Sequence, residues 1–181
     1  VVHLYGQPAK IKEINEICNK YDIYLIEDAT ESLGSKYNGQ ITGTFGDIGC
    51  FSFNGNKLIT TGGGGMLVTD NKEWAEKAEY LTTQAKDDPV QFVHNEVGYN
   101  YRLTNIQAAM GVAQLEQIEE FIKKKREIND FYFNHLNSIE GIKVTRELVN
   151  SYSNYWLSTI LINEAEFGMN SKKLYQKLRE D

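Results

Sequence analysis

The stretch from Phe51 to Met66 constrains the fold of this chain more than any other. It reads Phe51-Ser52-Phe53-Asn54-Gly55-Asn56-Lys57-Leu58-Ile59-Thr60-Thr61-Gly62-Gly63-Gly64-Gly65-Met66. A hydrophobic run ends in a turn of small residues, a single lysine follows, and a run of glycines leads into the next apolar segment. Asn and Gly tolerate the tight, irregular path that can present a side chain into a cleft. Upstream, Ile23 to Ile26 is too apolar for one-sided burial and predicts a parallel, central strand that ends in Glu27-Asp28. Before it, Ile11, Ile14, Ile17, Cys18 and Tyr21 recur at helical spacing behind Pro8. A helix followed by a buried strand is half of a βαβ unit. Gly46 to Phe53 reads as a turn leading into a second buried strand.

The remainder extends this α/β pattern. Gly65 to Thr69 is a short apolar strand, and Asp70 is placed to cap a helix carrying Trp74, Ala78 and Leu81 on one face. The polar stretch 82–101 has no clear period and reads as a loop, of a length that tends to be functional. Thr104 with Gln107 three residues on predicts a capping box at the start of the longest helix, which keeps helical spacing to Leu136. The polar cluster Lys123 to Glu127 predicts a bend or a second helix there. Ile142 to Val144 and Trp156 to Ile162 read as antiparallel strands of a smaller unit. The expected architecture is α/β with a mostly parallel sheet over 1–120. The long helix and the start of a small α+β unit follow over 121–181.

Composition excludes several classes of partner. A net charge of -6 and a pI near 5.2 argue against a nucleic-acid or anionic-membrane surface. No apolar run approaches the roughly 18 residues of a membrane span, and the first residues lack the pattern of a signal peptide. Cys18 and Cys50 are isolated, which suits reduced thiols in a cytoplasmic protein. His3, His94 and His135 are scattered, with neither a nucleophile triad nor metal spacing. Both ends of the chain read as cut from something longer.

Each candidate residue has an ordinary structural reading. Asp28 can be the polar end of its strand, Lys57 a solvated surface group and Ser52 a strand serine. Asn100 can be a loop anchor and Arg102 a salt-bridge donor. Gly62 to Gly65 could cradle phosphate, yet it matches neither GxGxxG nor the Walker pattern. Lysine and aspartate at the tips of two buried strands, however, suit pyridoxal phosphate (PLP). The amine can form an imine with its aldehyde. A carboxylate within about 4–6 Å can raise the pKa of the ring nitrogen by about 1–3 units. The protonated ring then acts as an electron sink.

These pieces resemble the DegT/DnrJ/EryC1/StrS family of PLP-dependent sugar aminotransferases. The resemblance rests on His3-Leu4-Tyr5-Gly6, Glu27 to Gly34, Gly46 to Phe53, Gly55-Asn56-Lys57 with Thr60 to Gly65, and Gly98 to Arg102. It runs nearly end to end. It implies an aspartate-aminotransferase-like fold (PLP fold type I) and a homodimer with a shared active site. It implies Lys57 as the imine lysine and proton shuttle, Asp28 at the pyridine nitrogen and Ser52 at the phosphate. Asn100 would reach the phosphate of the neighbouring subunit's cofactor. Glu31 occupies a position often held by Gln or His, near the ring hydroxyl. The expected reaction moves an amino group, with glutamate as donor, to the keto-sugar of a nucleotide-linked hexose in glycan or polysaccharide biosynthesis. Two alternatives remain: a sugar dehydratase of the same family, in which histidine replaces the lysine, and a non-catalytic PLP-fold regulatory protein. The resemblance also places a phosphate-binding helix N-terminus and a ring-stacking aromatic ahead of His3. This stretch alone is therefore expected to bind PLP weakly and not to turn over.

Overall fold

The computed structural model describes residues 1–88 and 90–180. Pro89, within the expected loop, and Asp181 lie outside the described residues. A 3₁₀ turn at Leu4–Gly6 precedes α1 (Ile11–Lys20), which buries Ile11 completely, and β1 (Ile26–Asp28) follows. A hairpin of β2 (Lys36–Tyr37) and β3 (Gln40–Ile41) leads to β4 (Ile48–Ser52) and β5 (Gly65–Val68). Then come α2 (Lys72–Thr82), α3 (Asn105–Leu115) and α4 (Ile118–Leu136). The last elements are β6 (Ile142–Val144), β7 (Ser151–Tyr152), β8 (Ile160–Ile162), α5 (Glu164–Phe167) and α6 (Ser171–Glu180).

The main sheet is mixed. β1 and β4 run parallel, and Val2 bridges Asp28 in the same sense, whereas β5 joins β4 antiparallel as an edge. α1 supplies the crossover from Val2 to β1, whereas β1 reaches its parallel partner β4 through the β2–β3 hairpin rather than a helix. β1 starts later than expected, and its apolar run is not buried on both faces. Leu25, Glu27 and Ala29 point into the packed side, while Tyr24 and Ile26 on the alternate side stay exposed. The alternation therefore drives Glu27, an acid, into the core.

Close approach of the chain fixes Gly49 in β4. A Cβ there would lie 2.0 Å from the carbonyl oxygen of Gly43, a backbone atom that has no flexible end to move aside. Gly49→Ala is expected to cost about 3 kcal/mol through overpacking, read as a lower urea midpoint with unchanged slope.

Helix boundaries follow local chemistry. The Asn71 side chain, rather than Asp70, caps α2 by accepting the Trp74 N–H. The capping box forms as predicted: Thr104 Oγ1 accepts the Gln107 N–H and Gln107 Oε1 accepts the Thr104 N–H. The break in the long helix falls at Glu116 and Gln117, and α4 runs unbroken through Lys123 to Glu127. Those polar residues lie on a half-solvated helix, which needs no bend to keep them wet. The 120/121 boundary thus falls in the first turn of α4. β6 and β8 pair antiparallel as expected. Trp156 and Leu157, expected to be strand, form a bend because Asn154 and Trp156 are drawn into the core beside the early loops.

Candidate active site

β1 and β4 are parallel with Asp28 opposite Cys50, so their carboxyl ends lie side by side. Asp28 closes one strand and Ser52 the other. This is the edge at which open α/β sheets bind ligands. Asp28 is half-buried, and its Oδ1 accepts the Thr30 N–H at 3.1 Å. Its Oδ2 makes no hydrogen bond among the described residues. Ser52 Oγ accepts the Asn54 N–H at 3.3 Å, which leaves the hydroxyl proton free for an acceptor. Lys57 follows in a turn closed by its own N–H to the Asn54 carbonyl at 3.0 Å. Its amine makes no ion pair or hydrogen bond among the described residues and lies 4.5 Å from the centroid of the Trp156 ring.

The site therefore offers a carboxylate oxygen, a hydroxyl proton and an amine that the fold has not committed elsewhere. That donor set fits PLP, which needs an acid at its ring nitrogen, donors at its phosphate and an amine at its aldehyde. Asp28 also acts on its neighbour: burial and then the Asp28 charge push the Cys50 thiol up, so Cys50 stays a neutral thiol at neutral pH.

The chain that carries Lys57 has no regular structure between β4 and β5, and distant side chains set its path. Gln114 of α3 donates to the Thr60 carbonyl at 2.5 Å and accepts the Thr60 N–H at 3.0 Å. Gln107 donates to the Thr61 carbonyl. The Trp156 indole N–H donates to the Asn56 carbonyl at 2.8 Å.

The remaining predicted residues are placed differently. Glu31 turns back on the N-terminal segment, where its Oε2 accepts the N–H of Tyr5, a residue held at φ 57°. Asn100 is exposed on the 82–101 loop and bridges Thr83, and none of its hydrogen bonds reaches Asp28, Ser52 or Lys57. Arg102 pairs loosely with Glu79 on the surface at 3.6 Å, its ordinary structural reading.

Two groups escaped the sequence reading. The first is the buried Glu27. Its Oε1 accepts the N–H groups of Phe45 and Gly46, and its Oε2 accepts those of Gly43 and the His3 ring. Burial pushes its carboxyl up, but His3 and the three N–H groups together outweigh that and hold it below the usual range. The alternation Leu25, Glu27, Ala29 was the signal, since an inward acid must find partners. The second is Ser153 to Trp156, buried throughout. Asn154 donates to the Glu31 and Leu33 carbonyls and accepts the Trp156 N–H. Arg126 of α4 braces this segment through a two-point pair with Glu147 and a bond to the Ser153 carbonyl. No local pattern could have flagged the Asn154 contacts with Glu31 and Leu33, which span more than a hundred residues.

The sequence model of the DegT/DnrJ/EryC1/StrS aminotransferase family matches residues 1–181. The chain is 46% identical over 180 residues to EpsN of Bacillus subtilis (strain 168), covering 99% of this chain and 46% of EpsN. It is 46% identical over 165 residues to GDP-perosamine synthase of Escherichia coli O157:H7, covering 91% of this chain and 45% of that enzyme. Among solved structures it is similar to the Helicobacter pylori aminotransferase PseC, at TM-score 0.90 and 27% identity, over 99% of this chain and 48% of PseC. It is also similar to E. coli GDP-4-keto-6-deoxy-D-mannose-3-dehydratase with bound hydrated PLP, at TM-score 0.87 and 28% identity, over 99% and 50%. The chain belongs to the DegT/DnrJ/EryC1/StrS aminotransferase family. It spans about half the length of the relatives it matches. Among the described residues no helix is long and apolar enough to cross a membrane.

Proposed function

We propose that the protein is a PLP-dependent aminotransferase that transfers an amino group from glutamate to the keto-sugar of a nucleotide-linked hexose, working in the cytoplasm as a homodimer. Asp28 and Ser52 at adjacent strand ends, with Lys57 in the turn that follows Ser52 and its amine free of ion pairs and hydrogen bonds among the described residues, carry this reading. The bound cofactor supplies an electron sink for charge that develops at the reacting carbon. Asp28 holds the proton on the ring nitrogen. Ser52 donates its hydroxyl proton to a phosphate oxygen. Lys57 Nζ takes the proton from the donor carbon and returns one to the sugar carbon, as a positioned base and acid. Glu31 would lie near the ring hydroxyl and Asn100 would reach the phosphate of the second copy's site, as the family resemblance implies.

Relatives named for GDP-perosamine synthesis, and for transamination of a UDP-linked amino sugar, support the substrate class. The dehydratase similarity favours a second reading, against which Lys57 counts, since the resemblance associates dehydration with histidine at that position. The full-length protein with PLP and glutamate should be offered 3-keto and 4-keto sugars on UDP, GDP and dTDP, with products read by mass spectrometry. An amino sugar in place of the ketone supports transamination. Loss of water supports the dehydratase, and absence of any product favours the regulatory alternative.

Asp28→Asn should lower the single-turnover rate by about 10- to 10³-fold. That matches the roughly 1–3 pKa units a neighbouring carboxylate is worth to the ring nitrogen.

A further inference from the structure

We propose that Trp156 is a positioning residue for Lys57, gripping the lysine turn from the far end of the chain and docking the amine before any cofactor arrives. The inference rests on the reading of Lys57 as the reactive amine. Trp156 touches that turn twice. Its indole N–H donates to the carbonyl of Asn56, the residue before Lys57, at 2.8 Å. Its ring face lies 4.5 Å below the Lys57 amine, a separation at which a cation is attracted to the indole quadrupole. One contact fixes the backbone from which the lysine springs, and the other fixes where the side chain ends.

Trp156 is itself immobilised, which a positioning group must be. It is buried, its N–H donates to Asn154 Oδ1 at 2.8 Å, and its carbonyl accepts the Lys125 ammonium at 3.0 Å. Asn154 in turn holds the Glu31 and Leu33 carbonyls, just past Asp28. The segment therefore joins the two strand-end loops that carry Asp28 and Lys57, so their separation depends on residues 154–156 as well as on the sheet. The docking also has a chemical consequence. The indole covers one side of the amine and shields it there. A merely structural tryptophan would fill the core without setting the accessibility of one amine.

The test uses the full-length protein freed of cofactor. Trace labelling with acetic anhydride, read by peptide mass spectrometry, gives the reactivity of Lys57 relative to the exposed Lys12. Trp156→Leu removes both contacts and Trp156→Phe keeps a ring face but loses the N–H. The Lys57-to-Lys12 ratio should rise about 3-fold or more in the Leu variant and by less in the Phe variant. In the loaded enzyme, kcat should fall by about 10-fold or more, as a small misplacement of a reacting group can cost, with KM for the amino donor little changed. If the Leu variant does not fold, the Phe variant decides. An unchanged ratio in the folded variants overturns the proposal, whatever happens to stability. Failure of Lys57 itself as the reactive residue appears separately, as persistence of turnover in Lys57→Ala.

Discussion

Lys57→Ala in the full-length protein is expected to lower transamination by at least about 10³-fold, at the upper end of what a positioned acid–base group contributes, while leaving the fold intact. The size of the effect follows from the two jobs the amine has in the proposed mechanism: holding the cofactor and moving the proton. No neighbour can take over either job. Asp28 and Ser52 offer oxygen, and Cys50 is held as a neutral thiol by burial and by the Asp28 charge. The stability cost should be small because Lys57 is only partly buried and has no ion pair among the described residues. It loses the contact with the Trp156 ring, which is worth about 0.5–1 kcal/mol at such a site. Steady-state kinetics alongside chemical denaturation separates the two effects. A large loss of stability with a matching loss of activity would show that Lys57 is a structural residue.

Glu27→Gln should have the opposite signature, a cost of about 3–5 kcal/mol in stability, because it strands buried donors at about 1–3 kcal/mol each. Each Glu27 oxygen faces two donors: Phe45 and Gly46 on one side, Gly43 and His3 on the other. Ala9 N–H donates to His3 Nδ1, which leaves Nε2 to donate to the carboxylate. A glutamine must turn its NH₂ toward one pair of donors, so at least two of them lose their acceptor inside the core. The pH dependence has a definite sign. The folded carboxyl is held below its ordinary value, so its contribution is complete above the unfolded pKa of about 4.3. It is lost as pH falls through the lower folded value. Urea midpoints measured from pH 7 down into the acid range should fall in the parent protein, with the Gln variant lower at pH 7 and flatter below it.

The contrast between Lys57 and Glu27 explains how much was legible in the sequence. Asp28, Ser52 and Lys57 could be proposed from short-range order, an apolar strand followed by a turn, and parallel pairing brings Asp28 and Ser52 to adjacent strand ends. The capping box at Thr104 and Gln107 was legible for the same reason, since it closes within one helical turn. Glu27 was read only as a companion of Asp28. Its role emerged from the alternation that turns it inward and from a loop at Gly43 to Gly46 whose N–H groups converge on it. Trp156 and Leu157 were read as the start of a strand because they lead an apolar run, and Ser153 to Tyr155 drew no reading. The actual course of Ser153 to Trp156 is set by bonds to Glu31, Leu33, Asn56 and Gly6, all far away in sequence. The start of α4 was misplaced because polar residues on a wet helix face look like an interruption. Glu31 and Asn100 came from the resemblance alone. In this chain their visible work is to hold the Tyr5 turn and to pair with the end of α2.

The most direct test of the account is chemical. The full-length protein is saturated with PLP, reduced with borohydride, digested and mapped by mass spectrometry. The account predicts one stoichiometric cofactor adduct on the peptide that carries Lys57, absent from the Lys57→Ala variant. An adduct on a different lysine, or no adduct with a protein that still aminates a nucleotide-linked keto-sugar, would contradict it.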